Sequence, residues 1–161
     1  MVDADPAGKR ARFCAHSAVY AAQKVAAAEG DPPGPEQHTE MSAAHGRYRD
    51  ALARFISLYP DDPDTVGATY QLGYLHYGHG QLDASTDAFL TVIARAPDTR
   101  DAMTAANLIL DSYMVQEDWA GLHDAARGFL DIDSFGSERF REDLTEIRDR
   151  AAEKLTERSP D

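Results

Sequence analysis

Short breaks cut this 161-residue chain into segments that all share one hydrophobic period. GDPPGP (30–35), YPDDP (59–63), GHGQ (78–81), APD (96–98), QED (116–118) and DSFGS (133–137) carry the residues that end helices. Between them apolar side chains recur at spacings of three and four and do not alternate as in strands. The pattern predicts seven helices, near 7–29, 35–59, 65–78, 82–95, 99–115, 119–131 and 137–157. Alanine recurs throughout, and the only valine–isoleucine neighbours, Val92 and Ile93, lie inside a helical stretch. This composition favours an all-α protein. Hydrophobic residues make up 43% of the chain, so one folded domain with a continuous core is expected.

The second predicted helix has the clearest stripe: Met41, Ala44, Tyr48, Leu52, Phe55 and Tyr59. The first is alanine-rich, with Phe13, Val19, Tyr20 and Val25 as its larger apolar groups. Equal lengths and a proline-rich turn predict an antiparallel hairpin over 7–59. A shift of 34 residues then lays Gly46, Tyr48, Ala51, Phe55, Leu58 and Pro63 on Gly80, Leu82, Ser85, Phe89, Val92 and Pro97. A weaker third copy follows, with Trp119 in the place of Leu82 at a spacing of 37. Two expectations collide at Gly46. A strict repeat puts a turn there, whereas the unbroken stripe from Met41 to Tyr59 predicts continuous helix, the reading favoured.

The segment 66–97 resembles a tetratricopeptide repeat: Leu72-Gly73, Gly80, Leu82, Phe89 and Pro97 occupy that family's positions. Thr69, His76 and Ser85 depart from it, standing where Trp, Tyr and Ala are usual. The wording ATYQLGYLHYGHGQLDAS is most similar to repeats of Gram-negative cell-envelope proteins. The resemblance implies a right-handed solenoid of about seven antiparallel helices forming one domain over 1–161. Within it, 7–59 is an N-terminal hairpin, 65–97 the best repeat and 99–131 a degenerate repeat. The capping helix is 137–157, with Phe140, Leu144, Ile147, Ala151 and Leu155 on one face and Ser137 as its N-cap.

Net charge is −12, and all of the imbalance lies after residue 60, where 21 acidic residues face nine basic ones. Such a surface disfavours nucleic acid and anionic lipid and suits a basic peptide or protein surface; equally, it serves solubility alone. No run is apolar enough for membrane insertion, and the opening MVDADPAGKRARF has no export signal. As written the chain reads as cytoplasmic, and as periplasmic or cell-envelope if cut from a larger exported protein. The lone Cys14 permits no internal disulfide.

The stretch YQLGYLHYGHG, 70–80, concentrates the candidate chemistry. His76 and His79 share a helix face but lack further ligands at any recognised metal spacing. They read as packing residues, His76 turned into its helix pair and His79 at a helix C-terminus that favours its cation. Trp119 reads as core. No nucleophile elbow, phosphate loop or dinucleotide fingerprint occurs, and the paired carboxylates fall at helix ends or on charged faces. The expectation is therefore no enzyme, no catalytic residue, no metal and no cofactor. Tyr70, Tyr74 and Tyr77 differ, because they form a stripe on the face away from Leu72 and Leu75. In the resembled family that face lines a concave groove, continued by Asp101, Thr104, Leu108 and Asp111 on the next pair. Either the stripe binds a protein segment bearing Lys or Arg, or it packs on the preceding hairpin. The expected function is a protein–protein interaction scaffold or adaptor. The alternative is an accessory or regulatory subunit that forms a homodimer or larger oligomer through the same surface.

Overall fold

Short polar side chains fix where the helices begin. Ser42 Oγ accepts the His45 N–H at 3.1 Å, Thr99 Oγ1 that of Ala102 at 3.2 Å, Asp118 that of Gly121 at 2.9 Å and Ser137 that of Phe140 at 3.2 Å. Each satisfies a backbone donor that the first turn leaves without a partner. The computed structural model describes residues 8–157, and none of these lies in a strand. They form α1 (Lys9–Glu29), α2 (Ala43–Leu58), α3 (Thr65–Gly78), α4 (Leu82–Arg95), α5 (Arg100–Val115), α6 (Trp119–Leu130) and α7 (Glu138–Glu157). The protein is all-α, and no described helix is long and apolar enough to cross a membrane.

One helix boundary departs widely from the periodicity. The second helix starts at Ala43 instead of residue 35, and a non-helical linker fills the space between Gly30 and Ser42. The cause is tertiary. Gly34 has a φ of +117°, and its N–H donates to the Gly78 carbonyl at 2.8 Å, while the Thr39 N–H donates to that of His79 at 2.9 Å. The linker spends its donors on the end of α3 and so cannot build its own helix. Gly46, in contrast, lies within α2 and donates to the Ser42 carbonyl at 2.8 Å. The continuous stripe prevails over the strict repeat.

The Cα trace divides into two compact units, one running to Ala88 and the other beginning at Phe89 within α4. In the first, α1 packs on α2 and α2 on α3. Its core is Ala26, Tyr48, Leu52, Phe55, Ala68 and Leu75, with Ala15, Val19 and Ala22 of α1 laid against it. Alanines bring α1 close but supply little apolar area. Of the larger groups on α1, Phe13, Tyr20 and Val25 are exposed, so its apolar contact is the alanine–Val19 seam. In the second unit α5 packs on α6 and α6 on α7. Ala102, Ala105, Ala106, Ile109 and Leu110 of α5 are buried, as are Leu122, Ala126 and Phe129 of α6 and Leu144 and Ala151 of α7. Phe135 is fully buried between the rings of Phe129 and Phe140, at 5.9 and 5.7 Å. Trp119 is only half-buried, because it opens α6 at the exposed capped end and Leu122, one turn on, takes the core position.

Candidate functional site

The tyrosines of α3 form a ladder. Tyr70 and Tyr74 have ring centroids 6.5 Å apart with planes 20° from parallel, and Tyr74 and Tyr77 follow at 6.4 Å and 27°. Their i, i+4, i+7 spacing puts them on one face, while Leu75 turns into the core. Tyr74 is 50% exposed, whereas Tyr70 and Tyr77 are half-buried.

The ladder borders a cleft between α1 and α3. One hollow, of about 270 Å³, is lined by His16, Val19 and Tyr20 of α1, Phe55 of α2 and Gly67 and Ala68 of α3. A second, of about 230 Å³, is lined by Ala26 and Ala27, the linker residues Asp31 and Pro32, His45 and Tyr48 of α2, and Tyr70 and Tyr74. Gln23 and Gln71 belong to both hollows and join them. At this midpoint the Tyr48 hydroxyl donates to Gln71 Oε1 and also bonds Gln23. One phenol therefore ties α1 and α3 to the floor of α2, and burial pushes its pKa up. Phe13 and Tyr20, seven residues apart on α1, add exposed aromatic surface on that helix, at 72% and 57%. Lys24 lies over the Tyr20 ring, 5.2 Å from its centroid.

Charge at one end of the cleft is held in ion pairs. Arg12 Nη2 reaches Asp62 at 2.9 Å and Asp64 at 3.1 Å, and Arg12 Nε also bonds Asp62. His16 stands 3.4 Å from Asp64. The Arg12 hydrogen bond, helped by the backbone N–H of Asp64, lowers the Asp62 pKa to about 2. The middle of the cleft presents aromatic carbon and amides instead of net charge.

Histidine chemistry at the other end differs from the sequence expectation. His79 is 3% exposed, and its Nε2 lies 2.8 Å from His45 Nδ1 while its Nδ1 lies 2.9 Å from Thr39 Oγ1. Burial, then His45 and His76, push its pKa below the ordinary value, so it is not the dipole-stabilised cation that its place after α3 suggests. The linker over this helix end removes the water a cation needs. His76 is half-buried and bonds Gln81 Oε1 at 2.6 Å. Among the described residues no three metal-ligating side chains converge.

The remaining candidate residues lie on one face of α5: Asp101 exposed, and Thr104, Leu108 and Asp111 half-buried. Thr104 Oγ1 donates to the Arg100 carbonyl at 3.0 Å. These four belong to the second unit and the tyrosines to the first. Sequence reasoning missed Gln23, Tyr48 and Gln71 as the cleft's polar midpoint. A weak signal existed: Gln23 is the one amide of an alanine-rich helix, and Gln71 is set between Tyr70 and Leu72. Comparison of the chain with protein-family models, curated proteins and solved structures finds no match.

Proposed function

We propose that this chain is a non-enzymatic interaction scaffold of tetratricopeptide type, which takes a peptide or protein segment into the α1–α3 cleft. The observation that carries the reading is the tyrosine ladder beside an aromatic and amide-lined cleft. Tyrosine offers large rigid contact area at low entropic cost, and an amide pairs with the donors and acceptors of a peptide backbone. The burial of Leu82 and Phe89 supports the repeat assignment, since these positions carry the resemblance. Stacked helix pairs ending on α7 then form a right-handed solenoid. The acidic excess after residue 60 and the α5 face with Asp101 and Asp111 suit a partner that also bears Lys or Arg.

The test is a random 12-residue peptide library screened on immobilised wild-type chain, with selected peptides remeasured by fluorescence polarisation. Tyr74→Ala is expected to weaken binding about 5- to 30-fold, from a contact of about 1–2 kcal/mol, chiefly through faster dissociation. Asp111→Asn is expected to slow association and flatten its salt dependence. Selected peptides that bind wild type and Tyr74→Ala alike would refute the reading. Self-association lost on Tyr74→Ala would point to a second copy as the occupant.

A further inference from the structure

We infer that the linker between α1 and α2 is a pH-released strap: fastened to the end of α3 near neutral pH, it holds one wall of the cleft, and mild acid lets it go. The inference rests on the cleft being the binding site proposed above, whereas its test needs no ligand. Three hydrogen bonds seat the strap: Gly34 N–H on the Gly78 carbonyl at 2.8 Å, Thr39 N–H on that of His79 at 2.9 Å, and Gln81 Nε2 on the Thr39 carbonyl at 3.3 Å. Glycines allow this approach. A Cβ on Gly78 falls 2.6 Å from Pro32 Cβ, and one on Gly80 falls 2.4 Å from the Gln37 carbonyl oxygen. The fourth contact is the chain Thr39–His79–His45, at 2.9 and 2.8 Å. Asp31 and Pro32 of the strap and His45 of α2 all line the cleft, so the fastening and the wall share residues.

Two neutral imidazoles share one N–H across such a contact, and a threonine hydroxyl suits either tautomer because it both donates and accepts. A first added proton keeps both hydrogen bonds but creates a buried cation. A second sets N–H against N–H, and the contact breaks. The groups facing the pair give little relief. His76 of α3 disfavours charge on His79, and the start of α2, where His45 sits, is positive by its dipole. The carboxylates about the pair are Asp31, Glu36 and Glu40 on the strap and Glu29 at the end of α1, which accepts from the Ser42 hydroxyl. The described ion pairs link none of them to these rings, the histidine pairs being those of His16 and His123. Burial accordingly holds the His79 pKa down, and release of the strap, which exposes that ring to water, lets it bind the proton that the closed state resists.

Amide exchange of the full chain, followed by NMR as protection factors at about pH 7.5, 6.5 and 5.5, tests this. Protection factors remove the intrinsic pH dependence of exchange. Gly34 and Thr39 are expected to lose about tenfold in protection across that range, more than the Ala126 amide of α6 loses. His79→Gln, whose amide donates and accepts but does not titrate, flattens the response. His38→Gln, an exposed histidine of the same strap, leaves it as in wild type. Should His79→Gln fail to fold, His45→Gln serves in its place. Protection at Gly34 and Thr39 that ignores pH, or falls equally in the His79 or His45 variant, overturns the inference. A cleft that binds no peptide leaves the exchange result standing and counts against the binding reading alone.

Discussion

Ser85 occupies a position where alanine fits better than serine. The residue is fully buried in α4, and among the described residues its hydroxyl has no hydrogen-bond partner. Removing the oxygen has three consequences of unequal size. Burying an unsatisfied hydroxyl costs about 1–3 kcal/mol by mutational measures, and Ser85→Ala recovers that cost. Alanine is also the better helix former, by up to about 0.5 kcal/mol. Against these stands a void on the order of 10 Å³, costing roughly 0.2 kcal/mol at about 24 cal/mol per Å³. The favourable terms win, and a net gain of about 1–2 kcal/mol is expected. Urea denaturation followed by circular dichroism measures it, with unchanged slope showing that the unfolding transition is the same. Ser112 supplies the control. It is equally buried, but its Oγ donates to the Leu108 carbonyl at 2.8 Å. Ser112→Ala therefore loses a satisfied bond, and its effect should be about 1 kcal/mol less favourable than that of Ser85→Ala. A Ser85→Ala protein less stable than wild type would refute the reasoning, because it would mean that the hydroxyl has a partner.

Gly80→Ala should destabilise by about 2 kcal/mol or more in the same assay, since its φ of +63° disfavours a side chain and the new Cβ meets the Gln37 carbonyl at 2.4 Å. Stability should fall as pH drops below about 6.5. The folded-state pKa of His79 is depressed, so its contribution is full above the unfolded value and is lost on passing down through the folded one. Urea midpoints at neutral and mildly acidic pH measure this, and His79→Gln should show a shallower decline. The Arg12–Asp62 pair acts in a lower window. Asp62 is depressed from 3.8 to about 2, so its contribution persists through mild acid and fades only between those values. Arg12→Ala should return the Asp62 carboxyl towards its ordinary range in an NMR titration.

Helical period was the legible part of this fold because it is a local property: spacings of three and four along α2, α5 and α7 need no knowledge of what lies across the core. Caps were legible for the same reason, as Ser137 before α7 illustrates. The linker was not. Nothing in PEQHTEMS forbids helix as strongly as proline inside a helix would, and the periodicity therefore predicts a second helix from residue 35. What keeps them out is the backbone of α3 more than thirty residues downstream, offering the carbonyls of Gly78 and His79.

The histidines show how a correct sequence pattern can carry the wrong physical meaning. The 34-residue offset that lays Gly46 on Gly80 also lays His45 on His79. Read as a repeat, the coincidence gives the two rings equivalent and separate places. In the folded chain they touch, one inside α2 and the other just past α3, because the linker draws the end of α3 against the start of α2. The glycines of GHG have the same origin: Gly78 yields to Pro32 and Gly80 to Gln37, both strap residues. His79 alone would be a solvated residue at a helix terminus, charged in mild acid. Beneath the strap it becomes the least hydrated titratable group at that end of the cleft, with its proton affinity reversed in direction. The cleft follows the same logic, since Gln23 and Gln71 reach one Tyr48 hydroxyl only because α1 and α3 share the floor of α2, which no local pattern records. Function in this chain is therefore to be sought where segments distant in sequence meet, at the His45–His79 contact and the Tyr48–Gln71 bond.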